Sequence, residues 1–296
     1  MIGTSQHYLG DLPGARRHLE HVLAHHVAPA RKWQIFLIDV DHWSAAGVYL
    51  ARILWLQGLP DQAMRTAESS LAEARATNHA IPVGQALALA VCPIALARGD
   101  LAAAEHSVEF LREYSTRHRL ARWNAFGRIY EAELVIRSGD INTGLPLLRA
   151  GFNEPAAVRF APRFFAFVMA KALGLAGQIA DGLAVIAEAI EQSERTDELW
   201  AIAEMLRIKG ELLLSRGAPD AVTSAEDCFR QALDWARQQG ALSWELRAAT
   251  SLARLLRDQG RSTDAKALLQ PVYGRFTEGF ATADLKAANA LLADLG

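Results

Sequence analysis

The sequence predicts an all-α protein, a solenoid of helical hairpins about seven units long with one C-terminal capping helix. Three observations predict it. Glycines that end helical patterns recur at Gly10, Gly58, Gly99, Gly139, Gly177, Gly217 and Gly260, spaced by 48, 41, 40, 38, 40 and 43 residues. Small residues stand seven positions before each of them and five positions after nearly all. The segments between carry helical and not strand periodicity.

The glycines suit the left-handed conformation that closes a helix, where a Cβ is costly. Asp100 and Asp140 follow two of them and suit a helix start. The small residues before the turns are Gly3, Ala51, Cys92, Ala132, Ala170, Gly210 and Ala253. Those after are Ala15, Ala63, Ala104, Gly144, Gly182 and Ala265. The sixth unit departs, with Val222 at that offset and Ala225 taking the role three residues later. Small side chains at matching points let two antiparallel helices approach closely. In the last unit Leu246, Ala249, Ala253 and Leu256 recur at helical spacing, and so do Ala265, Leu268, Leu269, Val272 and Phe276. No stretch alternates with β-branched enrichment, so no strand is expected. Residues 1–281 form the expected array and 282–296 the cap, where Thr282 suits an N-cap and Leu285, Ala288, Leu292 and Leu295 make one apolar stripe.

Composition bounds the rest. The chain has 296 residues, 31 Lys+Arg and 33 Asp+Glu, for a net charge of −2. That balance argues against a dedicated nucleic-acid binder, which leans on basic excess. Cys92 and Cys228 are too few for a disulfide framework and read as buried thiols. No signal peptide is seen, and the apolar run Ala86 to Ala97 reads as a buried helix, too short to span a bilayer. A cytoplasmic protein with no membrane partner is expected.

The pattern Gly-x-x-x-x-Ala, with a small residue seven before the glycine, resembles the tetratricopeptide repeat. Leu206-Arg-Ile-Lys-Gly210 resembles its first-helix signature, and Ala225-Glu-Asp-Cys-Phe-Arg-Gln-Ala232-Leu233 its second. Units near 40 residues exceed the usual 34 and look more like the superhelices of bacterial signalling ATPases and of the maltose-regulon-activator type. Trp244-Glu-Leu-Arg-Ala-Ala-Thr-Ser-Leu-Ala-Arg-Leu-Leu, Tyr273-Gly-Arg-Phe-Thr-Glu-Gly-Phe and Thr282-Ala-Asp-Leu resemble the C-terminal end of one such group. In that group the repeats follow an ATPase module fused to a winged-helix or adenylate-cyclase domain. The resemblance implies a right-handed superhelix acting as a regulatory arm. Met1 lies two residues before Gly3, so the first helix looks half missing, and upstream sequence or another chain is expected to cover its neighbour.

The resemblance also implies a groove lined by the first helix of each unit, at positions six and three before the small residue and one, four and five after it. Those positions hold Arg52 and Trp55, then Phe126, Ile129 and Glu133, then Phe164, Phe167 and Lys171. They continue with Arg207 and Glu211, and end with Arg247, Arg254 and Arg257. The groove is expected to be aromatic in the middle and cationic towards its C-terminal end. Such a floor suits a peptide, a neighbouring domain or an organic anion.

Catalytic signatures were sought. The sequence holds no Gly-x-x-x-x-Gly-Lys-Ser/Thr, Gly-x-Gly-x-x-Gly, Gly-x-Ser-x-Gly or His-Glu-x-x-His. No catalytic residue, cofactor or metal ligand is therefore assigned, and the ATPase activity of the resembling group does not carry over. His18, His21 and His25 share a helix face beside His26, which reads as a solvated face more than a metal site. Asp39, Asp41 and His42 suit a helix start. Arg112, Arg117, Arg119 and Arg122 make a basic patch; Glu188, Glu191, Glu194, Asp197 and Glu198 make an acidic one. The expected function is a non-catalytic protein-interaction scaffold, the sensor or partner-binding arm of a bacterial signalling or transcription-regulatory ATPase. The partner would be a protein, a peptide or an upstream ATPase domain. The alternative is a small-molecule effector sensor, which requires an enclosed pocket rather than an open face.

Overall fold

The computed structural model describes residues 2–25, 42–157 and 161–296, and the side chains of all of these except 42–44 and 161–164. Asp39, Asp41 and His26 lie outside the described residues. The described residues form fifteen α-helices and no strand. They pair as seven hairpins: α1 (Ile2–Leu9) with α2 (Leu12–Ala24), α3 (His42–Leu56) with α4 (Pro60–Ala76), α5 (Ala80–Arg98) with α6 (Leu101–Arg117), α7 (Ala121–Arg137) with α8 (Ile141–Phe152), α9 (Ala161–Leu175) with α10 (Ile179–Thr196), α11 (Ile202–Arg216) with α12 (Ala221–Gln239), and α13 (Leu242–Asp258) with α14 (Ser262–Tyr273). A last helix, α15 (Ala283–Asp294), packs on α13 and α14.

The turn chemistry is local. All seven turn glycines have positive φ, between +68° and +99°. The Asp11, Asp100 and Asp140 carboxylates accept the backbone N–H three residues on, at 2.9, 3.1 and 3.0 Å, and start α2, α6 and α8. Thr282 precedes α15, but its hydroxyl makes no cap bond. The α15 stripe buries Leu285, Ala288 and Leu291, with Leu292 only half-buried.

The small residues bring the helices together. A Cβ on Gly3 would sit 3.1 Å from the Ala15 carbonyl, one on Gly144 3.2 Å from that of Ala132, and one on Gly182 3.0 Å from that of Ala170. Those pairs are the predicted partners of three hairpins. Ala225 is fully buried and Val222 45% exposed, so the three-residue shift in the sixth unit is real. The helix α5 is long and apolar enough to cross a membrane by length and composition alone, yet 78% of that window is buried inside the protein. Cys92 is fully buried in α5 and Cys228 is buried in α12.

The array also closes on itself. The turn after α1 meets the end of α12, where a Cβ on Gly10 would lie 2.6 Å from Gln239 Nε2. The turn after α3 meets α13 and the loop beyond α14, with a Gly58 Cβ 2.8 Å from Leu242 and 3.0 Å from Phe276. The turn after α5 meets α15, with a Gly99 Cβ 2.5 Å from that of Ala283. The later turns at Gly139, Gly177, Gly217 and Gly260 have nothing within 4 Å. The seam is also hydrogen-bonded. Helix α4 starts at Leu59, which has no side-chain acceptor, so its first N–H groups lack a local cap. Glu278 supplies one from across the seam: its Oε1 accepts the Asp61 and Gln62 N–H groups at 2.8 and 2.9 Å. Asp61 returns the contact by accepting the Gly279 N–H at 3.0 Å, and it pairs with Arg98 at 3.1 Å. Ser243 donates to the Trp55 carbonyl at 2.5 Å.

His7 on α1 is fully buried beside this seam, ringed by Tyr8, Tyr49 and Trp200 at centroid distances of 5.4 to 5.7 Å. Neither ring nitrogen has a hydrogen-bond partner. Burial, and then the Arg52 charge, hold its pKa well below the ordinary value. The folded state therefore keeps His7 neutral while the unfolded chain protonates near pH 6.5. Stability contributed by neutral His7 is full above about pH 6.5 and falls as pH drops below it, by at most about 1.4 kcal/mol per pH unit. Chemical unfolding from pH 7.5 to 5 should show that decline, and His7→Phe should flatten it.

Two glycines separate seam packing from turn strain. Gly99→Ala and Gly177→Ala both place a side chain at φ near +75°. Only the former collides across the seam. Gly99→Ala should cost about 1–3 kcal/mol more than Gly177→Ala in denaturant melts and enlarge the radius of gyration in solution scattering.

Candidate binding cavity inside the superhelix

A cavity of about 110 Å³ lies inside the closed array. Six successive hairpins line it, five by their first helices and the sixth by the turn just ahead of α11. Arg52, Trp55 and Leu56 come from α3, and Pro93, Ile94, Leu96 and Ala97 from α5. Tyr130, Glu133 and Arg137 come from α7, and Phe165, Phe167 and Val168 from α9. Trp200 precedes α11, and Trp244 and Arg247 lie on α13.

Pro93 shapes one wall. Proline has no N–H to give the preceding turn, and α5 adjusts by a π-helical segment at Leu87–Val91. Cys92 N–H bonds the Leu87 carbonyl, five residues back. The next carbonyls then need other donors. Tyr130 Oη donates to the Ala88 carbonyl at 2.6 Å, and Arg52 Nη1 to that of Leu89 at 3.3 Å. The broken helix thus orients two side chains of the cavity wall. Burial raises the Tyr130 pKa well above its ordinary value, so the phenol stays a donor.

The other walls are set by stacked rings and guanidinium groups. Trp55 and Trp244 meet edge to face at 4.7 Å, and Arg247 lies over both, 5.2 and 5.0 Å from their centroids. Arg52 lies 4.7 Å over Trp200. Trp244 Nε1 donates to the Trp200 carbonyl at 3.3 Å. Arg137 donates to Glu133 at 2.9 Å and to the Leu96 carbonyl at 2.8 Å.

Behind the cavity, the Glu204 carboxylate is 3% exposed and accepts two bonds from Arg207, at 2.7 and 2.8 Å, and one from Arg247 at 3.1 Å. Arg247 also donates to Asp284 of the cap at 2.7 Å, and Arg207 to Glu211. Burial by itself raises the Glu204 pKa, but the Arg207 and Arg247 charges overcome it and hold the carboxyl at about 2. Lys171 lies one turn beyond Phe167 on the same face of α9 and is partly open to solvent. Partial desolvation, then the Arg207, Arg247 and Arg137 charges, lower its pKa against the pull of Glu204.

The structure brings together Arg52, Trp55, Glu133, Phe167 and Arg247 of the predicted groove, with Lys171, Arg207 and Glu211 beside them. It places Phe126 and Ile129 elsewhere. Both are at most 1% exposed: Phe126 packs edge to face on Phe165 of the following hairpin at 5.0 Å, and Ile129 is covered by its own partner helix, abutting Gly151 of α8. The Phe164 side chain lies outside those described. Arg254 is exposed, and Arg257 pairs with Asp258 at 3.0 Å, away from the lining residues. Repeat register missed Trp200, Trp244 and Tyr130, while Arg137, also in the lining, falls on the register five after Ala132. Trp200 and Trp244 stand ahead of the repeat's groove positions, just before α11 and at the start of α13, and no spacing in the sequence signals them.

The remaining candidates resolve as surface features. His18 and His25 engage backbone carbonyls through Nδ1 at 3.0 and 2.9 Å, and His21 and His25 stack at 4.1 Å. Among the described residues no three His, Cys, Asp or Glu side chains are grouped to hold a metal ion. In the basic patch Arg112 pairs with Glu131 and Arg122 lies over Trp123.

No protein-family model matches the chain, and no curated protein matches it in sequence. Its structure is similar to the crystal structure of a Rap protein complexed with competence and sporulation factor. The TM-score is 0.56 at 12% identity, over 99% of this chain and 78% of that one. At that identity the likeness concerns the fold: the chain is a tetratricopeptide-like helical-repeat protein.

Removing Glu204 leaves two guanidinium groups in the interior with one carboxylate fewer. Glu204→Ala should cost about 3–5 kcal/mol in chemical unfolding, and surface Glu226→Ala less than about 1 kcal/mol.

Proposed function

We propose that the chain is a non-enzymatic, cytoplasmic regulatory scaffold, the partner-binding arm of a bacterial signalling or transcription-regulatory ATPase. The observation that carries this reading is the convergence of six successive hairpins on one aromatic and cationic cavity in a closed array. Hairpins that touch chiefly their neighbours can flex along the array, and a change of their relative angles would be felt at the seam. The resemblance of the C-terminal segments supports the ATPase as partner. The Rap protein likeness supports a scaffold that works through binding.

The test mixes the chain with an ATPase module encoded in frame with it or beside it. Calorimetry should give a Kd of about 1 μM or tighter, and the chain should change ATP turnover by the module while hydrolysing none itself. No heat at 100-fold higher concentration with unchanged turnover would remove the ATPase as partner.

A second reading, an effector sensor, has its own support. Residues of six hairpins converge on one concave, largely apolar cavity, which supports a small-molecule site.

A further inference from the structure

We propose that the axial cavity binds a small organic anion, a carboxylate on a flat apolar body, with Lys171 pairing the carboxylate. This rests on the effector-sensor reading and names the ligand class for it. Three observations carry it. The first is charge. Arg52, Arg137, Lys171, Arg207 and Arg247 gather at and behind the cavity, against the carboxylates of Glu133, Glu204, Glu211 and Asp284. Among the described residues Lys171 makes no ion pair. Lys171 stands one helical turn from Phe167 and Val168 of the lining, on the same face of α9. Desolvation first, and then the Arg207, Arg247 and Arg137 charges, lower its pKa, and an anion offsets the latter.

The second is shape and lining. Leu56, Ile94, Leu96, Ala97 and Val168 with the indoles of Trp55, Trp200 and Trp244 offer apolar surface, and a volume of about 110 Å³ suits one ring with a short substituent. No Asn, Gln or Asp is among the described lining residues, and Tyr130 and Glu133 are already engaged, so a sugar's hydroxyls would find few partners. The third is rigidity. Arg247 is held by Glu204, Asp284 and two indole rings, and Arg137 by Glu133 and a carbonyl, so the cationic groups around Lys171 are fixed before any ligand arrives.

The experiment titrates the full chain with benzoate, its neutral isostere benzamide and the cation benzylammonium, by calorimetry and tryptophan fluorescence. Benzoate should bind in the millimolar range or tighter and at least about tenfold better than the other two. Lys171→Met should weaken benzoate about tenfold, leave benzamide unchanged and leave the melting temperature of the free protein unaltered. Lys171→Arg should restore binding. Benzamide binding as tightly as benzoate, or benzoate binding unchanged in Lys171→Met, overturns the anion assignment while the cavity remains an effector site. If none of the three probes binds, the anion proposal and the effector reading both fall.

Discussion

The contact of the first three turns with α12, the last hairpin and the cap helix is the constraint on which the rest of the structure depends. Glu278 caps a helix more than two hundred residues away in sequence, and Gly58 and Gly99 lack a side chain where Leu242, Phe276 and Ala283 press in. An open solenoid exposes its concave face as a trough. Here the seam brings Trp244 against Trp55 and Arg247 over both, so the trough narrows to a cavity lined from both ends of the array. The cavity exists because the two ends of the array meet.

The inner wall is shaped by a departure from helical regularity. Pro93 removes one donor from the middle of α5, and the segment before it relaxes to π-helical spacing. A buried unpaired carbonyl costs about 1–3 kcal/mol, so the exposed Ala88 and Leu89 oxygens would be a liability. Tyr130 and Arg52 answer them from neighbouring hairpins. The same bonds fix those two side chains at the cavity edge, so a structural repair also orients the site.

Charge is organised in the same economical way. Glu204 is buried between two guanidinium groups, and their attraction outweighs its desolvation. Arg247 extends the network to Asp284, so the cap helix is tied electrostatically to the cavity wall. A ligand that displaces Arg247 would be felt at Asp284 of the cap and hence at the seam, the route by which the proposed function would couple occupancy to partner binding.

The repeat was legible because its signals are local. A turn glycine is read from backbone sterics, and a small residue at a helix crossing from close packing, so the seven hairpins and the shift to Ala225 follow from spacing alone. Of the groove positions one residue after the small position, Arg52 and Glu133 line the cavity, whereas Arg254 at the same offset is exposed away from it. The burial of Phe126 and Ile129 was not legible: the next hairpin covers Phe126 through Phe165, Ile129 faces its own partner helix at Gly151, and neither crossing angle is written in a local pattern. Trp200, Trp244, Glu278 and the pairing of Glu204 with Arg247 depend on contacts between distant units. The sequence by itself determined the helices, their turns and the hairpin pairing, because those forces act within a few dozen residues. Tertiary structure alone decided that the array closes and that its axis is a cavity, because small rotations between hairpins accumulate over the whole chain before the ends can meet.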